Sequence, residues 1–403
     1  MTGGGGKGSW GLWDGVQAAV WGSGAGNWGL CDALGVQQAP DNPGTTSGSR
    51  ARPARIRDVA RLARVSHQTV SRVLNGHPNI RDTTKSRVLA AMDELQFRPS
   101  RAARMLSTQR SETIGVLAAA VGPHYGPAKS VSAVEDAARE RGYYATVAHL
   151  VSVEPDAISA AVEDLLEQDV EGIVIVAPRT SVLTQLAALS MNVPIVAAQG
   201  KQSEAGAIPV ASVDQQAGVR MMMRYLLERG HQRILHLAGP PDWNDAQSRL
   251  GAYESEMRAA GLAPLPPVFG DWTSDSGFEA GRAVIRDAGR ATELPFSAVF
   301  AANDQMALGL THALREAGLD IPHDVSVAGF DDIPESAHFW PPLTTVRQDF
   351  AVLGTRCVAM LIDLIAESRR PGQLRGGAGA APAVEPKLIV RDSVARRYDD
   401  LTL

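Results

Sequence analysis

The hydrophobic period of this chain changes partway along its length. Between residues 55 and 95, apolar positions recur at helical spacing in three blocks, which predicts helices at Arg57–Arg64, His67–Leu74 and Asp82–Leu95. In ARLARVSHQTVSRVLNG (60–76), Leu62, Val65, Val70, Val73 and Leu74 keep that spacing but break at Val65-Ser66. Two short helices joined by a tight turn fit this break better than one long helix. Ser66 is placed to cap the second helix and Asp82 the third, whose Val88, Leu89, Met92 and Leu95 share one face. From residue 113 the pattern becomes short apolar runs (TIGVLAAA, GIVIVAP, PIVAAQG, RILHLAG, SAVFAAN, VSVAGFDD) separated by amphipathic segments of helix length. Near-continuous apolar strands alternating with helices predict parallel sheets covered on both faces. A fresh start near Ile208 divides this region into two similar α/β lobes with a ligand expected between them. PPLTTVRQDF (341–350) is expected to return the chain to the first lobe, and KLIVRDS to form a last strand after the Gly/Ala-rich loop 371–383.

Charge sharpens this division. Residues 51–110 carry 13 Lys and Arg against 4 Asp and Glu, whereas residues 111–403 carry 24 against 37. The overall charge of −5 therefore hides a basic module joined to an acidic body, and a basic patch is the footprint expected of a phosphate-backbone partner. Between the two lies RPSRAARMLSTQRS (98–111), a basic, Pro-initiated helix too short to persist alone in water. Residues 1–50 are rich in Gly, Ser and Trp, show no sustained period and read as a disordered extension. Their GGGGKGS lacks a phosphate-loop frame, because Gly8 follows Lys7 where Ser or Thr is needed.

Composition narrows the function classes. There is no run of about 18 apolar residues and no basic-then-apolar leader, so a cytoplasmic protein without membrane association is expected. Only Cys31 and Cys357 are present, so no disulfide framework, cysteine metal site or cofactor is expected. Neither GxSxG nor HExxH occurs and the histidines are scattered, which disfavours an enzyme.

Several collinear motifs carry a family resemblance: IRDVARLARVSHQTVSRVLNG, RPSRAARMLS, HLAGP, GDWTSDSGF, AANDQMALG, VSVAGFDD and PPLTTVRQDF. From about residue 54 to 393 the chain resembles the lactose-repressor/galactose-repressor family of bacterial transcription regulators. The resemblance implies a helix-turn-helix head (54–97), a hinge helix (98–111) and a two-lobed, periplasmic-binding-protein-like core (112–393), followed by a tail (394–403). The first lobe would take about 112–211 and 340–375, and the second about 212–339 and 384–393. It also implies a homodimer on a pseudo-palindromic operator, released by a small sugar, with a galactoside as one candidate. Without a heptad-patterned C-terminal helix, a dimer rather than a tetramer is expected. A ligand that strengthens DNA binding, or an activator, is the alternative. A sugar-binding transport component is the remote one, since it calls for a leader peptide and no basic head.

The resemblance assigns sites residue by residue. Arg57, Ser66, His67, Gln68, Thr69, Ser71, Arg72 and Asn75 would contact DNA from the head, with His67 and Gln68 reading bases. Arg101, Ala103 and Leu106 would do so from the hinge, Leu106 wedging between base pairs. Arg64 stands where the family's turn usually carries Gly. Arg249, Asn303 and Asp331 would bind sugar hydroxyls, Trp272 would stack on the ring, Phe350 would line the floor, and Gln199 would face the ligand from the first lobe beside the less polar Ala119 and Val176. His124 and Glu335 match a pair near the lobe interface.

Overall fold

A computed structural model describes residues 54–74, 77, 79–98, 105, 110–119, 122, 124–189, 191–200, 208–288, 294–370 and 382–397. The extension 1–50 and almost all of the predicted hinge helix lie outside these residues. No helix among the described residues is long and apolar enough to cross a membrane.

The head holds three helices, α1 (Ile56–Leu62), α2 (His67–Leu74) and α3 (Asp82–Glu94). Val59, Ala60, Ala63, Val70, Val88 and Ala91 are buried. The first helix stops two residues short of the expected Arg64, because Arg64 turns the chain with φ +54°. That conformation costs a non-glycine residue about 1–2 kcal/mol, yet it sets up the cap that follows. Ser66 accepts a hydrogen bond from the Thr69 backbone N–H at 3.1 Å, and their hydroxyls pair at 2.9 Å, starting α2 where the sequence predicts. Asp82 is not a cap. Arg81 occupies that position without a side-chain bond, and Asp82 lies in the first turn, where its charge faces the helix dipole.

In the core, the first lobe is an all-parallel sheet ordered β2-β1-β3-β4-β5. Its strands are β1 (Thr113–Ala118), β2 (Tyr144–His149), β3 (Ile173–Val176), β4 (Ile195–Ala198) and β5 (Val210–Ala211). Ile114 and Val116 pack on one face, against α4 (Tyr125–Glu140) and a late helix, α11 (Phe350–Ser368). Leu117 points the other way, into a core with α5 (Pro155–Leu166) and α6 (Thr180–Ala188). Two covered faces are what the unbroken apolar strands require.

The second lobe repeats the plan with order β7-β6-β8-β9: β6 (Ile234–Ala238), β7 (Val268–Phe269), β8 (Ala298–Ala301) and β9 (Ser326–Ala328). One face is covered by α9 (Ser274–Asp287) and α10 (Asp304–Glu316), the other by α7 (Gln215–Glu228) and α8 (Asn244–Ala259). The edge strands β2 and β7 carry half-exposed side chains, and β7 is only two residues long.

Residues 341–350 differ from expectation. Thr345–Arg347 (β10) pairs antiparallel with Lys387–Ile389 (β11), and bridges at Thr344 and Arg347 set the segment beside Ala328 and Asp331 of the second lobe. The return to the first lobe is made by α11, which Asp349 caps by accepting from the Val352 N–H at 3.0 Å. Leu353, Cys357, Val358, Leu361 and Ile365 of α11 then fill the first-lobe core, where burial pushes the Cys357 thiol up to about 12. The chain thus crosses between lobes after β5, after β10 and again near Val384, which bridges to Val213. At the first crossing Asp214 caps α7, accepting from the Ala217 N–H at 2.8 Å.

Candidate functional site

Between the lobes lies a pocket of about 340 Å³, open to solvent. Among the described residues, the first lobe contributes the start of α4: His124, Tyr125, Gly126 and Pro127. The second contributes Trp243, Asp245 and Arg249 from the beginning of α8, Trp272 and Asn303 from loops after β7 and β8, and Asp331 from beyond β9. Gln348 enters at the second crossing. Parallel sheets of this kind open their ligand crevices at the carboxyl ends of strands.

Arg249, 3 % exposed, anchors the polar wall. Its Nε donates to Gln215 Oε1 at 3.0 Å and its Nη1 to the Ala302 carbonyl. Its Nη2 faces Asp331 at 3.5 Å and Asp245 at 3.9 Å. Gln215 donates in turn to Gln348 at 2.8 Å, and Gln348 to Asp331 at 2.7 Å. Three hydrogen bonds and the Arg249–Asp331 ion pair therefore close a ring of Arg249, Gln215, Gln348 and Asp331, with the guanidinium lying 3.9 Å from the centre of Phe330. Burial pushes the Asp331 carboxyl up to about 6, against the pull of Arg249. Asp245 is raised by the same burial, and Arg249 again opposes it.

Trp272 has φ +76°, a conformation that bulky residues adopt only where the surroundings enforce it. Asn303 supplies part of that enforcement. Its Oδ1 accepts from the Met306 N–H at 2.9 Å, capping α10, while its Nδ2 donates to the Trp272 carbonyl at 3.0 Å and to Gln305 at 2.9 Å. Gly239 supplies the rest, because a methyl added there would lie 2.2 Å from the indole. Beneath them Asp304 accepts from Thr345 Oγ1 at 2.6 Å and from the Ile333 N–H at 2.9 Å, and burial holds its carboxyl well above the usual range. Burial, then the nearby carboxylates, push the Tyr125 phenol up to about 12.

Four of the six expected ligand residues, Arg249, Trp272, Asn303 and Asp331, line this pocket. Phe350 and Gln199 do not. Phe350 packs in the first-lobe core, edge-on to Tyr125 at 6.1 Å, and Gln199 is buried behind Gly126 with φ +70°. His124 reaches the pocket edge-on to Trp243 at 4.8 Å, while Glu335 lies on the 3-10 turn Pro334–His338.

On the head, α2 buries Val70 and Val73 and exposes His67, Gln68 and Arg72, with Ser71 half-buried. Arg57 is exposed on α1. Ser66 and Thr69 direct their oxygens to the cap between them. Asn75, Arg101, Ala103 and Leu106 lie outside the described residues.

Two family models match the chain: bacterial regulatory proteins of the lacI family over residues 55–100, and a periplasmic binding protein-like domain over 223–394. The lactose operon repressor of Escherichia coli (strain K12) is 34 % identical over 316 residues, which span 78 % of this chain and 85 % of that protein. The chain belongs to the lacI family of bacterial regulatory proteins. A second relative, the transcriptional repressor PurR of Klebsiella pneumoniae (strain 342), is 31 % identical over 347 residues, 85 % of this chain and 97 % of that one. Among solved structures, the Lac repressor dimer bound to operator and the anti-inducer ONPF aligns with a TM-score of 0.73 and 31 % identity, over 85 % of this chain and 100 % of that one.

Within this lacI-family chain, sequence reasoning passed over Gln215, Gln348, Trp243, Asp245 and Tyr125. A signal for the glutamines existed. The first two crossings each pair a capping Asp with a Gln, Asp214-Gln215 and Gln348-Asp349.

Proposed function

We propose that the protein is a transcriptional repressor that binds a pseudo-palindromic operator as a homodimer and is released by a small sugar held between its lobes. One observation carries the allosteric half of this reading: the hydrogen-bond ring around Arg249 is built partly from Gln215 and Gln348, which sit at two of the chain crossings. A ligand that engages Asp331 or Arg249 acts on the groups that fix the angle between the lobes. Only such differential contact shifts a conformational equilibrium.

In this reading Trp272 stacks on the sugar ring, and Asp331 and Arg249 meet its hydroxyls. Asn303 fixes Trp272 with an amide whose two N–H groups are committed, and its Oδ1 keeps one lone pair for a hydroxyl. On the DNA side His67 and Gln68 read base edges, while Arg57, Ser71 and Arg72 hold phosphates. Asn75 and the hinge residues Arg101, Ala103 and Leu106 keep the roles that their motif gives them.

The test is fluorescence anisotropy of the full chain on DNA from upstream of its own gene, at fixed salt, with a panel of hexoses, pentoses and disaccharides. Release by one sugar is expected, and Trp272→Ala should lose that response while apo DNA affinity stays within about twofold. A normal response in that variant would remove the cleft assignment, and tighter DNA binding with sugar would make the ligand a co-repressor.

A pH dependence follows from Asp331. A hydroxyl donating to its carboxylate prefers the ionised form, so sugar affinity should rise with pH up to about 6 and level off above. Calorimetric titration at pH 5 and pH 7.5 reads this directly, and equal affinities at both would separate Asp331 from the ligand.

A further inference from the structure

We infer that the effector is a single, unphosphorylated sugar ring. The inference rests on reading the cleft as the effector site and adds to that reading the size and charge of its occupant.

Size is set by Trp243. Its indole stands edge-on to Trp272 at 5.5 Å on one lobe and to His124 at 4.8 Å on the other. The Arg179 guanidinium lies 5.3 Å from the ring, and Arg179 is itself bound to Asp242 at 2.6 Å. Backbone bonds fix the same place. Arg179 and Trp243 form an antiparallel bridge, and the Asn244 N–H donates to the Pro178 carbonyl at 2.9 Å. A bulky side chain pinned between two lobes closes the pocket toward the 177–179 loop.

Charge is set by Asp245 and Asp331. Among the described lining residues Arg249 is the one Lys or Arg, and its N–H groups already point at Gln215, the Ala302 carbonyl and the two carboxylates. Among the described residues a phosphate would meet two carboxylates and no uncommitted guanidinium or ammonium. The indole N–H groups of Trp243 and Trp272 are buried without an acceptor. Neutral hydroxyls answer both needs, since each accepts from an indole and donates to a carboxylate.

The experiment is calorimetric titration of the full chain with free hexoses and pentoses, the 6-phosphates of glucose and galactose, and the disaccharides lactose and cellobiose. A free monosaccharide should bind at least about tenfold tighter than any phosphate or disaccharide in the panel. Trp243→Leu should close the gap to the disaccharides by about tenfold. Thermal unfolding checks that this variant folds, and Asp242→Ala, which releases Arg179 without touching the core, should move the ratio the same way if it does not. A disaccharide or 6-phosphate that binds wild type as tightly as the best monosaccharide overturns the inference. If Trp272→Ala abolishes that binding, the cleft reading stands and only the single-ring inference falls. If nothing in the panel binds wild type, the effector reading itself falls and takes this inference with it.

Discussion

Replacing Arg249 with leucine should cost the core about 3–5 kcal/mol near pH 8 and abolish the response to effector, because it breaks a buried pair by removing one partner. Asp331 and Asp245 would lose the one guanidinium that faces them, and Gln215 and the Ala302 carbonyl would lose their donor. The pH dependence has a definite sign. Without Arg249 both carboxyls would titrate still higher in the folded state than in the unfolded one, where an aspartate titrates near about 3.9. The folded variant would then bind more protons than the unfolded chain over the interval between those values, so its stability rises as pH falls through that window. The full loss is present above the folded pKa and fades toward the unfolded one. Chemical denaturation of wild type and variant at pH 5 and pH 8 measures this. A variant as stable as wild type at pH 8 would show that the ring holds without its cation.

Gly309→Val should be at least as damaging, at about 3 kcal/mol or more, beyond the ordinary range for overpacking. A Cβ on Gly309 would fall 1.8 Å from the Ser274 carbonyl oxygen and 2.6 Å from the Phe278 nitrogen. Facing it, a Cβ on Gly277 would fall 2.2 Å from the Met306 carbonyl oxygen. The two helices α9 and α10 therefore touch backbone to backbone, where no flexible side chain can give way. Their N-termini carry the Thr273 and Asn303 caps, which flank Trp272. Forcing the helices apart should thus weaken sugar binding as well as stability. Urea unfolding and sugar titration of Gly309→Ala and Gly309→Val would show graded losses in both, and a Val variant with wild-type stability would contradict the contact.

Much of the fold is readable from period alone, because strands buried on both faces and helices buried on one leave unlike patterns. The strands that escaped are sheet edges, the two-residue Val210–Ala211 among them. Tyr144–His149 and Val268–Phe269 are sheet edges with exposed side chains, and Thr345–Arg347 pairs within the second lobe where a return to the first was expected. The site divides in the same way. Trp272, Asn303 and Asp331 sit in motifs that single them out, and Arg249 lies between two of those motifs. Gln215 and Gln348 matter only because two crossings far apart in sequence bring them together, and Trp243 because a loop of the other lobe presses on it. Phe350 misled because the chain enters α11 one residue past the cleft and turns the ring into the core. Asn303 shows the double role that its place before Asp304-Gln305 suggests, lining the pocket while its Oδ1 caps α10 and its Nδ2 braces Trp272.

The division of labour within the cleft bears on how such a protein changes over generations. The groups proposed to judge size and charge, Trp243 and Asp245, begin one helix of one lobe, whereas Gln215 and Gln348 belong to the segments that join the lobes. A single-codon change at Asp245 alters what is sensed and leaves both glutamines of the pivot in place. A change in the second pair alters how far the lobes swing and leaves the sensed molecule the same. A gene duplicate with this arrangement can acquire a new nutrient signal in small steps, each of which still yields a working switch.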